Sequence, residues 1–208
     1  MPTGRMEAFS DGVIAILITI MVLELRVPHG AHLSALRPLL PVFLTYLLSF
    51  VYLGIYWNNH HHMLQATEGI NGTVLWANLH LLFWLSLFPI ATGWVGENHF
   101  ATTPTAAYGI VLLGAAIAYF VLQLTIIAQQ GANSVVAAAI GRDLKGKASP
   151  VIYLAGIGFS FVEKWIGIAL YVAVALIWLV PDRRFERQIA AADRLRRTPS
   201  PSGAEPGA

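Results

Sequence analysis

The stretch Arg5-Met6-Glu7-Ala8-Phe9-Ser10-Asp11 leads directly into the apolar run Gly12-Val13-Ile14-Ala15-Ile16-Leu17-Ile18-Thr19-Ile20-Met21-Val22-Leu23. A helix rises 1.5 Å per residue, so about 20 residues cross the hydrocarbon core of a bilayer, and this run is long enough. Ionisable groups at the mouth of such a span are energetically expensive, which calls for a functional or architectural reason. The stretch predicts a membrane-spanning helix that begins with charged residues.

One stripe of this helix is made of small or branched side chains and one hydroxyl. At 3.6 residues per turn the stripe is roughly 100° wide, and Asp11 lies roughly 140° around the helix from Ile16. Ordinary packing or lipid contact is one interpretation, and periodicity alone favours it. The other is a pore lined by apolar rings, which gates by dewetting. The stripe consists of Gly12, Ile16, Thr19, Ile20, Leu23 and Val27.

The composition is that of a membrane protein. Of 208 residues, 56% are hydrophobic and 12% charged, against about 25% charged in soluble domains. The absence of cysteine excludes disulfides, thiolate metal sites and cysteine nucleophiles. A net charge of +2 is too small for nucleic-acid binding. No small-residue cleavage site follows the first apolar run, so we expect it to be a permanent span.

The apolar runs predict an all-α membrane protein with six transmembrane helices per subunit, assembled around a central pore. The predicted spans cover residues 6–27, 37 to 57 or 60, 73–95, 105–128, 150–162 and 164–180, with a cytoplasmic loop that contains some helix over 129–149. The last two could instead form one long helix, which would give five spans. With six, both termini are cytoplasmic and ten of the thirteen basic residues lie inside. Residues 1–181 would form the channel subunit, and 182–208 a basic, partly disordered cytoplasmic tail.

Arg5, three intervening residues and then Phe9-Ser10-Asp11 at the start of an apolar helix resemble the signature of the transmembrane protein 175 family, whose bacterial members are potassium-permeable channels. The resemblance covers the first three spans. It implies a multi-pass protein of the bacterial inner membrane that assembles as a homotetramer. It also implies that a buried hydrogen-bonded network fixes the pore helix. The residues implied for that network are Arg5, Phe9, Ser10, Asp11, His61 and Asn78.

The residues themselves leave part of this network open. Arg5 and Asp11 are six apart, which is not a spacing at which helical neighbours meet, so their partners should come from other helices. The histidines of the run Asn58-Asn59-His60-His61-His62 are candidates, and the sequence does not decide among the three. Three successive helical histidines cannot all ligate one ion, so we expect no metal site and no cofactor.

For the pore, the resemblance implies that Ile16 forms the narrowest ring and that Thr19 adds a hydroxyl layer. Transient potassium would then lie near these two residues, and Ile20 and Leu23 would continue the lining outward. From the residues alone, Thr19 could equally bond back to its own helix. Glu24 and Arg26, near the outer end of the span, could form a vestibule that concentrates cations or an interface pair of little energetic weight.

The chain lacks the Thr-Val-Gly-Tyr-Gly filter of carbonyl-caged potassium channels, so selectivity would depend on side-chain rings. One helix cannot enclose a pore, and copies of the chain would have to surround an axis. The expected partners are other subunits, membrane lipids and permeant monovalent cations. A secondary transporter or proton-coupled membrane protein is the alternative, although no inverted repeat is evident. A membrane-embedded enzyme is less favoured, because only Asp11 and the histidine run could supply a reactive cluster.

Overall fold

The computed structural model describes residues 3–131, 134–140 and 144–179, and this part of the chain contains only helices and their connections. The order is α1 (Gly4–Leu23), a 3₁₀ helix (Leu33–Leu39), α2 (Leu40–Gln65), α3 (Gly72–Ser86), α4 (Phe88–Glu97), α5 (Thr102–Gln130), α6 (Val135–Ile140), α7 (Leu144–Ser160) and α8 (Lys164–Leu179). The expected basic tail, 182–208, lies outside the described residues.

Within the described residues, four helical segments are long and apolar enough to cross a membrane: Gly4–Leu23, Leu33–Gln65, Gly72–Glu97 and Thr102–Gln130. The prediction of an all-helical membrane protein is confirmed. Helices α7 and α8 have 17 and 16 residues. At 1.5 Å per residue they are roughly 24–26 Å long, a few ångströms short of a hydrocarbon core of about 30 Å.

The third predicted span is two helices rather than one. α3 ends at Ser86 and α4 begins at Phe88, with Leu87 between them. Pro89 lies in the first turn of α4, where its missing amide costs least. Leu87 keeps dihedral angles in the helical region (φ −84°, ψ −9°). The backbone therefore passes from α3 to α4 without an extended segment between them.

The polar stretch 129–149 is more helical than the sequence suggested. α5 continues to Gln130, and α7 begins at Leu144, six residues before the proline that was expected to start the fifth span. Pro150 therefore lies inside α7. It lies in the second turn of this helix, where its missing N–H removes the hydrogen bond to the carbonyl oxygen four residues earlier.

The core lies around α5, which packs against α3, α4, α7 and α8. Two glycines of α5 allow the closest approaches. Gly114 lies against the indole of Trp84, and Gly109 against the phenol ring of Tyr171, with no room for a Cβ at either place. α1 packs on the other side of the subunit, where it contacts α2, α3 and α4. Among the described residues, no helix covers the opposite side of α1.

Candidate functional site

The first helix has one buried side and one open side. Met6, Ile14, Leu17 and Met21 are each at most 6% exposed and face α2, α3 and α4. The open side carries the apolar stripe. Its side chains are largely uncovered by the described residues: Ile16 is 57% exposed, Ile20 41% and Leu23 82%.

Thr19 is on the same open side, near Ile16. Its hydroxyl donates to the carbonyl oxygen of Ile16 at 2.9 Å, the local back-bond typical of threonine inside a helix. A hydroxyl oxygen that donates one hydrogen bond keeps its lone pairs. The oxygen of Thr19 can therefore still accept a hydrogen bond or coordinate a cation.

A buried chain of hydrogen bonds joins α1 to α2 and α3. The hydroxyl of Ser10 donates to the carbonyl oxygen of Met6 at 2.8 Å and accepts from Nδ2 of Asn78 at 3.0 Å. Oδ1 of Asn78 then lies 2.8 Å from Nε2 of His60. Since an amide oxygen can only accept, His60 donates in this bond. All three side chains are buried and have lost their hydrogen bonds to water. The bonds among them replace those lost bonds.

A second set of contacts lies on the more exposed side of the same junction. Trp57 donates its indole N–H to Oδ1 of Asp11 at 3.0 Å. One helical turn further along α2, Nδ1 of His61 lies 2.7 Å from Oε1 of Glu7 and Nε2 accepts from Gln65 at 2.8 Å. The rings of Trp57 and His61 stack with centroids 5.9 Å apart. We call these two sets of contacts the clasp: Ser10–Asn78–His60, Asp11–Trp57 and Glu7–His61.

The six residues implied for the signature network do not form one cluster in the structure. Ser10 and Asn78 bond to each other, together with His60. Asp11 bonds to Trp57, and His61 bonds to Glu7. Phe9 is 55% exposed on the open side of α1. Arg5 is also exposed, and no described residue offers it a hydrogen bond or ion pair.

Glu7 is a partner that the sequence did not single out, whereas Trp57 begins the segment 57–62 that the family resemblance implies as a source of partners. A periodicity signal for them exists: Glu7 and Asp11 are four residues apart on α1, and Trp57 and His61 are four apart on α2. Residues at that spacing share one side of a helix. Two acceptors on one helix therefore meet two donors on the next.

At the other end of α1, the charged groups pair across elements. Arg26 contacts Glu97 at the end of α4, with 3.0 Å between Nη2 and Oε1. Both side chains are mostly exposed, so this pair adds little to stability. Partial burial raises the pKa of Glu24, and the negative charge of Glu97 raises it further. Arg26 thus takes its partner from α4.

Among the residues that the structure describes, no three histidine or acidic side chains come together in a way that could hold a metal ion. The histidine run divides its side chains among different partners. His60 points to Asn78, and His61 to Glu7. Helices α1, α2 and α3 therefore form a hydrogen-bonded junction, and the exposed apolar stripe of α1 lies beside it.

The helices and the clasp define a multi-pass helical membrane protein in which one apolar helix is fixed from a single side. Residues 5–89 match the family model described as endosomal/lysosomal potassium channel TMEM175. The chain belongs to the TMEM175 family, which is a family of channels, and it is therefore not an enzyme.

Relatives of known name cover most of the chain. A potassium channel of Chryseobacterium sp. (strain P1-3) is 56% identical over 189 residues, which are 91% of this chain and 98% of the relative. The crystal structure of a lysosomal potassium-selective channel TMEM175 homolog from Chamaesiphon minutus superposes with a TM-score of 0.76 at 28% identity, covering 86% of this chain and 97% of the other. The Homo sapiens endosomal/lysosomal proton channel TMEM175 is 37% identical over 82 residues, 32% of this chain and 16% of the human protein.

Proposed function

We propose that this chain is the subunit of a potassium-permeable cation channel whose pore is lined by α1 from several copies. The observation that carries the proposal is the division of α1 into two sides. Packing and the clasp hold one side, while the apolar stripe is open along the whole helix. The names of the bacterial relatives support potassium as the permeant ion.

The channel would be a homotetramer. One copy of α1 cannot surround an ion, and closed cyclic symmetry is the usual way in which identical subunits enclose an axis. Cyclic assembly about the open side of α1 would place the four copies of Ile16 opposite one another. The mostly exposed Ile20 and Leu23 would line the pore further along.

Ile16 would form the constriction and Thr19 a polar layer one turn away. A ring of isoleucines excludes water when closed, so it gates by dewetting. The hydroxyl of Thr19 is already oriented by its bond to the carbonyl of Ile16, which leaves its oxygen to contact a partly dehydrated cation. Discrimination among cations would be weaker than in a cage of carbonyl groups.

The clasp would transmit force between the pore helix and the rest of the subunit. Its contacts join α1 to α2 and α3 at one end of the span only. Ser10 and Asp11 lie within two turns of Ile16, so a shift of α2 would tilt or rotate the constriction. Further along α1 the described contacts are apolar packing and a weak hydrogen bond from the hydroxyl of Thr92 to Sδ of Met21 at 3.8 Å, which resist such movement less.

We further propose six membrane crossings per subunit, with α7 and α8 as the last two. Both termini would then lie in the cytoplasm of a bacterium, with the protein in the inner membrane and residues 182–208 as a cytoplasmic tail. The distribution of basic residues along the sequence supports this orientation. Slight thinning of the bilayer or snorkelling side chains would accommodate the two short helices.

Ion flux from purified protein in liposomes tests the proposal. With potassium, caesium or sodium gradients applied in separate experiments, we expect flux that depends on the protein, with potassium passing faster than sodium. A pH-sensitive dye inside the vesicles reports proton entry, the activity in the name of the vertebrate relatives. Native mass spectrometry should give four subunits. A monomeric protein without cation flux contradicts the proposal.

A further inference from the structure

A cavity of about 50 Å³ lies inside the subunit, away from α1, between α2, α5, α7 and α8. On this measure one water needs about 10–15 Å³, so the cavity has room for roughly four waters or a molecule of similar size. Half of its described lining residues are aromatic, and none of them is charged. The main contributors are Tyr52, Tyr56, Tyr119, Phe120, Tyr153 and Trp178.

Gln123 of α5 lines this cavity and is only 5% exposed. No described residue forms a hydrogen bond with its amide group, although the amide offers two donors and an acceptor. An unpaired amide at membrane depth is costly, because neither lipid nor aromatic rings can replace its bonds to water. The cavity is the space from which a partner for Gln123 can come.

Two further polar groups with unused capacity lie on α2 at the same cavity. The hydroxyl of Tyr56, which is 9% exposed, bonds to no described residue. Asn59 donates its amide hydrogen to the carbonyl oxygen of Ile55 at 2.8 Å, which leaves its own oxygen free to accept. Ser149 has less unused capacity, since its hydroxyl donates to the carbonyl oxygen of Lys145 and accepts from Nε1 of Trp178.

These groups specify the chemistry of an occupant. The described lining residues carry no charge that would offset the desolvation of an ion, so they suit a neutral molecule better. Gln123 and Tyr56 require a molecule that both donates and accepts hydrogen bonds. The aromatic wall favours a short apolar portion beside that polar group.

We propose that this cavity is a binding site for a small neutral molecule that carries a hydroxyl or amide group, held by Gln123 and Tyr56. The site is distinct from the proposed pore. It shares α2 with the clasp: Tyr56 and Asn59 lie on that helix, roughly 150° around its axis from Trp57 and His61. A ligand in the cavity therefore contacts the helix that holds α1.

The test is binding of 2-fluoroethanol, which has a hydroxyl group and four non-hydrogen atoms. Purified protein is titrated and followed by ¹⁹F NMR, a measurement that does not depend on ion conduction. We expect saturable line broadening with about millimolar affinity, as suits so small a ligand. Gln123→Leu and, separately, Tyr56→Phe should weaken binding by roughly tenfold through the loss of a buried hydrogen bond.

Thr125→Val is the matched control, because Thr125 lies one half-turn from Gln123, bonds only to the carbonyl of Leu122 and does not line the cavity. It should bind like the unmodified protein. Equal binding by Gln123→Leu and Tyr56→Phe would mean that the alcohol merely partitions into apolar regions, which overturns the proposal. Absence of saturable broadening in the unmodified protein overturns it too, and leaves ordered water as the occupant.

Discussion

Asn78 donates its amide N–H to the hydroxyl of Ser10 across 3.0 Å, at a point where both side chains are buried. The bond joins the middle of α3 to the first third of α1. Through Oδ1, the same amide reaches His60 of α2, so a single side chain ties three helices together. Replacing this side chain by an apolar one therefore removes a hydrogen bond from each of two other buried groups.

Asn78→Leu tests how much the clasp contributes. The leucine has nearly the same volume, but it leaves Ser10 with one bond fewer and His60 with no described partner. We expect a loss of about 1–3 kcal/mol in stability, the usual cost of an unsatisfied buried group. Thermal unfolding in detergent, followed by circular dichroism, measures it.

The control for Asn78→Leu is Asn98→Leu at the exposed end of α4, where the amide bonds only to the carbonyl of Trp94. That substitution should change the unfolding temperature much less. An unfolding temperature of Asn78→Leu equal to that of the unmodified protein would mean that apolar packing alone holds α1.

Ile16→Asn tests the proposed constriction. An amide ring is wetted where an isoleucine ring is not, so we expect larger currents and weaker preference for potassium over sodium. Because Ile16 is exposed in the single subunit, the change should leave folding intact. Single-channel recording in planar bilayers gives both the conductance and the reversal potentials.

Val22→Asn provides the comparison for that recording. Val22 is also exposed on α1, at 45%, but lies roughly 120° around the helix from Ile16. Its currents should be unchanged. Unaltered currents in Ile16→Asn would remove Ile16 from the gate, whatever the assembly of the channel.

The sequence was sufficient for those features that depend on one helix at a time. The apolar length of each long span and the position of the stripe on α1 follow from period and composition. The contacts of Trp57 and Glu7 do not follow from the sequence pattern, because they depend on how α2 is oriented about its own axis relative to α1. The choice between His60 and His61 is of the same kind: adjacent helical residues point about 100° apart, and only packing decides which one meets Asn78.

The helix boundaries in the structure differ from the predicted ones where a proline in the sequence allows more than one arrangement. Pro89 and Pro150 both occur in apolar runs, yet Pro89 follows a bend and Pro150 lies inside α7. A proline constrains its own dihedral and removes one donor, and either arrangement satisfies that constraint. The surrounding packing selects between them, and the packing involves residues far away in the sequence.

The raised pKa of Glu24 predicts a pH effect on stability. Burial and the charge of Glu97 both disfavour its ionised form, so the folded protein binds this proton more tightly than the unfolded chain. The stabilising contribution is complete below the ordinary pKa of 4.5 and is lost as the pH rises through the higher value of the folded state.

Glu24→Gln should therefore unfold at a slightly higher temperature than the unmodified protein at neutral pH, with the difference vanishing below about pH 4.5. The effect is small because the side chain is mostly exposed. Scanning fluorimetry across that pH range measures the difference. Glu163→Gln, in the turn before α8, controls for the loss of one surface carboxylate. A difference that grows as the pH falls would contradict the assigned direction.

Gly114→Ala tests the contact between α5 and α3. The added methyl group would overlap the indole of Trp84, which is held in place by its bond to His80 at 3.1 Å. Either the ring or α5 must move, and overpacking of this kind costs about 1–3 kcal/mol.

Gly158→Ala in α7 is the matched control, since its Cβ meets no atom within 4 Å. Alanine favours the helix there by up to about 1 kcal/mol, so this variant should be as stable as the unmodified protein or more so. Thermal unfolding of the two variants side by side should therefore move in opposite directions. A Gly114→Ala protein as stable as Gly158→Ala would show that α3 and α5 are not packed at their closest approach.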